Sequence, residues 1–163
     1  MFGTYCDRRA PPVTDRADVL APLAGRLIPL SAVPDPVFAG QLVGSGVAIE
    51  PTGEGAVTVG APLDGTVLKL HPHAVVVLGA GGVAVLVHVG IDTVGLRGEG
   101  LTPRTTERAV VRAGDPLIDF DPAAVRARGL SAVCPVVLMD SAPGAVPDPA
   151  ERLVAAGEVL FRA

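Results

Sequence analysis

The sequence predicts an all-β domain, a barrel or sandwich built by duplication. Three observations carry that reading. Gly 20 and Pro 16 punctuate a chain of 163 residues, which suits many short strands and turns. Aromatic residues are only 3%, and the apolar bulk is mostly Val, Ala and Leu. Two segments recur: APLAGRLIPL (21–30) returns as APLDGTVLKL (61–70), and VRAGDPL (111–117) returns as VAAGEVL (154–160), at spacings of 40 and 43 residues. Two copies of each element imply a pseudo-symmetric closed β structure rather than a solenoid, which needs more repeats.

Along the chain, residues 1–18 read as a polar, proline-bearing tail, and the regular apolar pattern starts at Val19. Residues 19–163 then form a single domain. Strands are expected at 46–49 and 132–139. The segment from His73 to His88 places β-branched runs on either side of a glycine-rich centre, a hairpin signature. Short helical turns are expected at 122–128 and 149–156, because Asp121-Pro122 and Asp148-Pro149 each supply an N-cap and a first-turn proline, with Gly129 and Gly157 as stops.

Composition excludes several functions. A net charge of −4 and a pI near 5.3 leave no basic field for nucleic acid or anionic lipid. Cys6 and Cys134 have no CxxC spacing, so no thiolate zinc cage is expected, and both are assigned to tail or strand packing. The N-terminal stretch lacks the apolar core of a signal peptide. The longest apolar run, 74–87, is 14 residues broken by Gly79, Gly81 and Gly82, short of the roughly 20 a bilayer requires. The expectation is a cytoplasmic protein with no inserted segment.

All three histidines fall between positions 71 and 88. With a tight turn at Ala80-Gly81, or a four-residue loop over 79–82, Leu78 faces Val83, Val76 faces Val85, and His73 faces His88. Directly opposed side chains share a face with Cβ atoms about 4.5–5.5 Å apart. Two imidazoles in that position cannot both be charged comfortably, so at least one stays neutral near pH 7 and is available as a nucleophile or metal ligand. A loop of three or five residues would break this register. Beyond His88, Asp92 and Thr93 follow a bend at Gly90. Asp92 reads equally as a group orienting an imidazole, a charge for a basic partner, or an Asx-turn residue.

At these residues the chain resembles the glucose-class enzyme IIA of the bacterial sugar phosphotransferase system. The matching blocks are VPDPVF (33–38), GSGVAIEP (44–51), APLDGTV (61–67), His73-Ala74, VHVGIDTV (87–94), GEG (98–100), AGDPLIDFD (113–121) and PVV (135–137), in family order. The resemblance implies a sandwich or flattened barrel of two related motifs and a phosphocarrier role. It implies that His88 accepts a phosphoryl group on Nε2 from the phosphohistidine of HPr and hands it to a cysteine of a membrane-associated IIB domain. It makes His73 the neighbour that hydrogen-bonds the phosphoryl oxygens, Asp35 and Asp92 the acidic rim, and Val37 and Phe38 the apolar docking surface. Leu86 stands where relatives carry Phe. Relatives often have Thr two residues before the first histidine, fixing that ring; here His71 and Pro72 intervene, which makes His71, along with Thr93, a candidate for the orienting role. Some relatives also inhibit other transporters or enzymes when unphosphorylated.

Phosphoryl transfer mainly demands in-line placement and charge stabilisation, so neither cofactor nor nucleotide loop is required. No GxxxxGK[ST] motif occurs, and Lys69 is the only lysine. Two rival readings remain. A zinc hydrolase would use His71, His73 and His88 as ligands. A swinging-arm carrier would modify Lys69, although that lysine falls inside an expected strand.

Overall fold

The structure, a computed structural model, describes residues 17–52 and 55–163. Among these residues thirteen strands are formed: β1 (Asp18–Leu20), β2 (Gly25–Pro29), β3 (Gly44–Pro51), β4 (Val57–Gly60), β5 (Gly65–His71), β6 (Ala74–Leu78), β7 (Ala84–His88), β8 (Leu101–Pro103), β9 (Val110–Val111), β10 (Pro116–Phe120), β11 (Cys134–Met139), β12 (Arg152–Val154) and β13 (Val159–Arg162). Two short α-helices, α1 (Pro36–Ala39) and α2 (Pro122–Ala127), complete the regular structure together with a few 3-10 turns. The all-β expectation holds. Most of the tail assigned to residues 1–18, including Cys6, lies outside the described residues. Asp18 itself belongs to β1 and pairs with Arg162.

An eight-stranded antiparallel sheet runs in the order β12-β2-β3-β11-β7-β6-β5-β9, and the sheets β4-β10-β8 and β1-β13 cover its inner face. The large sheet reads the same from either end: β12-β2-β3-β11 answers β9-β5-β6-β7. The repeated segments reinforce this two-fold relation through reciprocal hydrogen bonds. Leu20 N–H donates to the Pro62 carbonyl as Gly60 N–H donates to that of Pro22, both at 2.8 Å. Ala21 exchanges bonds with Glu158 and Gly157 as Ala61 does with Asp115 and Gly114.

Strand alternation separates two cores. Val47, Ile49, Val75, Val77, Val85, Val87 and Val136 point inward and pack with Val19, Val59, Leu117, Phe120 and Phe161 from the covering sheets. Each such side chain, fully buried, contributes about 1.5–3 kcal/mol. Ala48 and Val137 point to the outer face, where Leu30, Val33, Phe38, Ile91 and Val133 join them in a smaller cluster that Leu86 borders. Residues 30–43, which link β2 to β3, therefore fold back over the outer face of the sheet.

Two local expectations are corrected. The helical turn expected at 149–156 is absent: Arg152–Val154 is β12, paired with Gly25–Leu27 of β2. Local capping signals at Asp148-Pro149 lose to sheet pairing, because this segment satisfies the free edge of β2 and buries Val154 in the main core. The device does work at 122–128, where the Asp121 carboxylate accepts from the amides of Ala123 and Ala124. It also builds α1, where the Asp35 carboxylate accepts from Val37 N–H at 2.8 Å and Phe38 N–H at 3.3 Å. The second correction concerns the hairpin register. Leu78 pairs with Ala84 and Ala74 with His88, so the loop is five residues, 79–83, closed by Gly79 N–H on the Val83 carbonyl at 2.7 Å. Gly81 and Gly82 both take positive φ, 70° and 78°, which lets the chain use this longer turn at little cost.

Candidate functional site

His73 is not opposite His88, yet the two rings meet. His71 pairs with Ala74 across β5 and β6, leaving Pro72 and His73 as a two-residue turn. Freed from the pleat, the His73 side chain is not bound by strand parity, and its ring centroid lies 5.4 Å from that of His88, edge-on at 64°. The corrected register explains how there is room: the residue directly beside His88 on β6 is Ala74, whose single methyl leaves the space above it to the neighbouring ring. His71, at the end of β5, lies on the other side of His73, with ring centroids 5.4 Å apart and planes inclined by 20°.

His88 is half-buried on the outer face of β7. Its Nδ1 lies 2.5 Å from the Gly90 carbonyl oxygen. A carbonyl only accepts, so Nδ1 carries the proton and Nε2 keeps its lone pair. Gly90 is the residue whose role the sequence conceals, since its side-chain-free position reads there as a bend alone. It sits at φ 72°, and a Cβ on it would lie 2.6 Å from Thr93 Cγ2 and 3.1 Å from the Ser131 carbonyl oxygen. Glycine is thus required twice, by conformation and by space. The hydroxyl of Thr93 is not directed to an imidazole: the residue is fully buried, and the hydroxyl donates to the Val89 carbonyl at 2.6 Å. With Ile91 N–H on the Ser131 carbonyl at 2.9 Å, that bond holds the loop that presents the Gly90 oxygen.

Phe38 forms the opposite wall, its ring centroid 5.1 Å from that of His88. At 8% exposure it is a buried support rather than part of an open docking surface. The outward apolar groups on the same loop are Val37, 41% exposed, and Leu42, 75% exposed; Val94 beyond Asp92 is 63% exposed. Asp92 is exposed in the left-handed region at φ 60°. Asp35 caps α1, and its charge still reaches the site.

Burial favours the neutral form of both rings. The pKa of His88 is lowered by burial, against the raising effects of the Gly90 carbonyl, Asp35 and Asp92. That of His73 is lowered by burial and by the like charges that His88 and His71 would carry. Cys134 lies fully buried at the start of β11, and burial pushes its thiol up to about 12, so it stays protonated and packs as a small apolar group. His73 stacks on His71 and meets His88 by an edge. Among the described residues no group of three or more His, Cys, Asp and Glu is arranged to hold a metal ion.

Comparison with known proteins identifies the family. Residues 17–143 match the family model of the phosphoenolpyruvate-dependent sugar phosphotransferase system, EIIA 1. The chain belongs to this enzyme IIA family. It is 49% identical over 127 residues to a mannose-specific EIIBCA component of Corynebacterium glutamicum, a match covering 77% of this chain but 18% of that protein. It is 40% identical over 130 residues to a glucose-specific EIIA component of Bacillus cereus, covering 78% and 77% of the two chains. The fold matches glucose permease IIA from Mycoplasma capricolum with a TM-score of 0.78 at 32% identity, over 88% of this chain and 92% of that one. As a glucose-class IIA, the chain is a phosphocarrier of the sugar phosphotransferase system, which supplants the zinc-hydrolase reading. Lys69 lies within β5 opposite Val76, not at the hairpin tip a swinging arm needs. Among the described residues no helix is long and apolar enough to cross a membrane.

Proposed function

We propose that His88 is the phosphoryl acceptor of this IIA domain and His73 its stabilising neighbour. The carrying observation is the Nδ1 hydrogen bond to the Gly90 carbonyl, which leaves a neutral Nε2 beside the His73 ring. In the forward step the lone pair of His88 Nε2 attacks phosphorus in line, the phosphorus–nitrogen bond of the phosphohistidine of HPr breaks, and its electron pair returns to the donor ring. No proton leaves His88, because Nδ1–H remains on the carbonyl. In the next step a cysteine thiolate of a IIB domain attacks the same phosphorus and His88 is released neutral. His73 serves both steps by donating a ring N–H to the phosphoryl oxygens as negative charge gathers there. Phe38 and the neighbouring apolar groups keep water from the phosphorus–nitrogen bond.

Around this centre Val37, Leu42, Leu86 and Val94 offer an apolar rim, while Asp35 and Asp92 supply charge for a basic partner surface, a combination suited to brief docking. The relatives named for glucose or mannose and fused to IIB and IIC units support a hexose permease as the destination, with the domain working at the cytoplasmic face of the membrane and residues 19–163 as the working unit. The test is reconstitution with phosphoenolpyruvate, enzyme I and HPr. Wild type gains one phosphoryl group, labile in acid and stable in base; His88→Gln gains none; His73→Gln is still labelled but transfers poorly to IIB. Full labelling of the His88→Gln chain would exclude His88 as acceptor.

A further inference from the structure

His71, Ala74 and His88 form one row across three strands, since His71 pairs with Ala74 and Ala74 with His88. Paired residues point to the same face, and strands lie about 4.8 Å apart, so the two histidines stand roughly 10 Å from one another with a methyl group between them. The His73 ring occupies that interval, its centroid 5.4 Å from each neighbour. The backbone of His73 is fixed by the short turn and by Val89 N–H, which donates to its carbonyl at 2.7 Å. The ring is not fixed in the same way. Among the described residues His88 is the histidine whose ring nitrogen is hydrogen-bonded, and the ring–ring contacts of His73 are with His71 and His88. Of these, His88 meets it by an edge, while His71 lies nearly parallel at 20°, in an offset stack.

We infer that His71 is a positioning residue for phosphoryl transfer: its ring is the flat support that holds His73 edge-on to His88 in the gap over Ala74. The inference rests on the phosphocarrier reading of His88. It departs from a hydroxyl-based solution, in which a Thr would fix the ring by a directional hydrogen bond, because stacking constrains the plane of the ring while leaving both its nitrogens unpaired. The nitrogen facing His88 is then available to a phosphoryl oxygen when one arrives. Stacking requires an aromatic ring at position 71 but not a nitrogen, which separates this role from that of a proton donor.

The experiment compares His71→Phe, His71→Ala and His71→Thr. In the unphosphorylated chain, nitrogen-detected NMR of the His73 ring gives a single restrained environment in wild type and His71→Phe, and an averaged one in His71→Ala. With phospho-HPr, all three variants are labelled on His88. Onward transfer to IIB is retained within about twofold by His71→Phe and falls by about two- to tenfold in His71→Ala, the range expected from one lost ring–ring contact. His71→Thr, which supplies the hydroxyl that relatives often carry here, transfers faster than His71→Ala. The inference is overturned if His71→Ala transfers as fast as wild type, or if His71→Phe is as slow as His71→Ala, which would assign the effect to a ring nitrogen. A wild-type chain that takes no phosphoryl group would sink the phosphocarrier reading itself, whereas normal wild-type labelling with an indifferent Ala variant sinks the role of His71 alone.

Discussion

In the first half of the duplicated fold, β2 and β3 are joined by residues 30–43; in the second half, their counterparts β5 and β6 are joined by Pro72 and His73 alone. The strands on either side of these links are related by the same two-fold, down to the reciprocal hydrogen bonds of Leu20 and Gly60. Yet the short link puts an imidazole at the site by being too brief to move away from it, and the long link reaches the same site by folding over the outer sheet face with Phe38 and Asp35. Duplication supplied two equivalent frames, and unequal connections supplied one functional end. The second half contributes the reactive rings, the first half their wall and part of their charge.

The harshest attack on this division is to fill the space that only the second half keeps open. Ala74 is 8% exposed and lies directly beside His88. Ala74→Leu extends a branched side chain into the volume of the His73 ring, which sits on a turn and is the group free to move. The expected result is a loss of onward phosphoryl transfer on the order of a hundredfold, since displacement of a positioned group by about 1 Å can cost that much. Labelling of His88 persists and stability falls by only about 1–3 kcal/mol. Transfer kinetics from the phosphorylated chain to IIB, set beside urea unfolding, check it; unchanged transfer would mean that His73 does not need the gap.

What the halves share is tested next. Gly25 and Gly65 occupy the same place in the two copies of the repeat. A Cβ on Gly25 would lie 2.3 Å from the Glu50 carbonyl oxygen, and one on Gly65 would lie 2.2 Å from that of Leu78. In both cases the obstacle is backbone of the adjoining strand, which cannot rotate aside. Gly25→Ala and Gly65→Ala should each destabilise the fold by about 1–3 kcal/mol, and by similar amounts. Phosphoryl acceptance per folded molecule should stay near wild type. A large inequality in urea midpoints at constant slope would show the two frames to be alike in outline but not in packing.

These contrasts also explain which features are legible in the sequence. The duplication is readable because each repeat carries its own small residues and turn signals, and strand character follows from local β-branched alternation. The histidine pair is readable from clustering and from the VHVGIDTV block. The register between the rings is not, because a glycine-rich stretch such as 79–82 accepts loops of several lengths and does not count residues for the strands it joins. The pairing of His73 with His88 expected from a four-residue loop does not exist; the rings meet through the Pro72-His73 turn. Likewise Asp-Pro occurs at 35–36, 115–116, 121–122 and 148–149; the second leads into β10, and the last makes no helix because a distant strand edge, invisible locally, claims the residues that follow it. Phe38 reads as surface when taken with its loop and as wall once that loop has folded back. Gly90 carries its meaning in a carbonyl oxygen, which no side-chain motif displays.

The mildest probe addresses what the long link alone provides. Asp35 does two things: its carboxylate caps α1, which carries Phe38, and its charge favours the protonated form of His88. Asn caps a helix about as well as Asp, so Asp35→Asn removes the charge and leaves the cap. Losing a nearby anion disfavours imidazolium, and the His88 pKa, already below its ordinary 6.5, should fall further. The neutral, nucleophilic form then persists to lower pH. Labelling rates near pH 7 should be unaltered on protonation grounds, while the acid limb of the profile moves down and docking to a basic partner weakens modestly. Asp35→Ala loses the cap as well, at a cost of about 1 kcal/mol, and loosens the support under Phe38. Titration of His88 by NMR in both variants separates the two roles. An unchanged pKa in Asp35→Asn would assign Asp35 to the backbone of α1 alone, making the first half a purely steric contributor to the site.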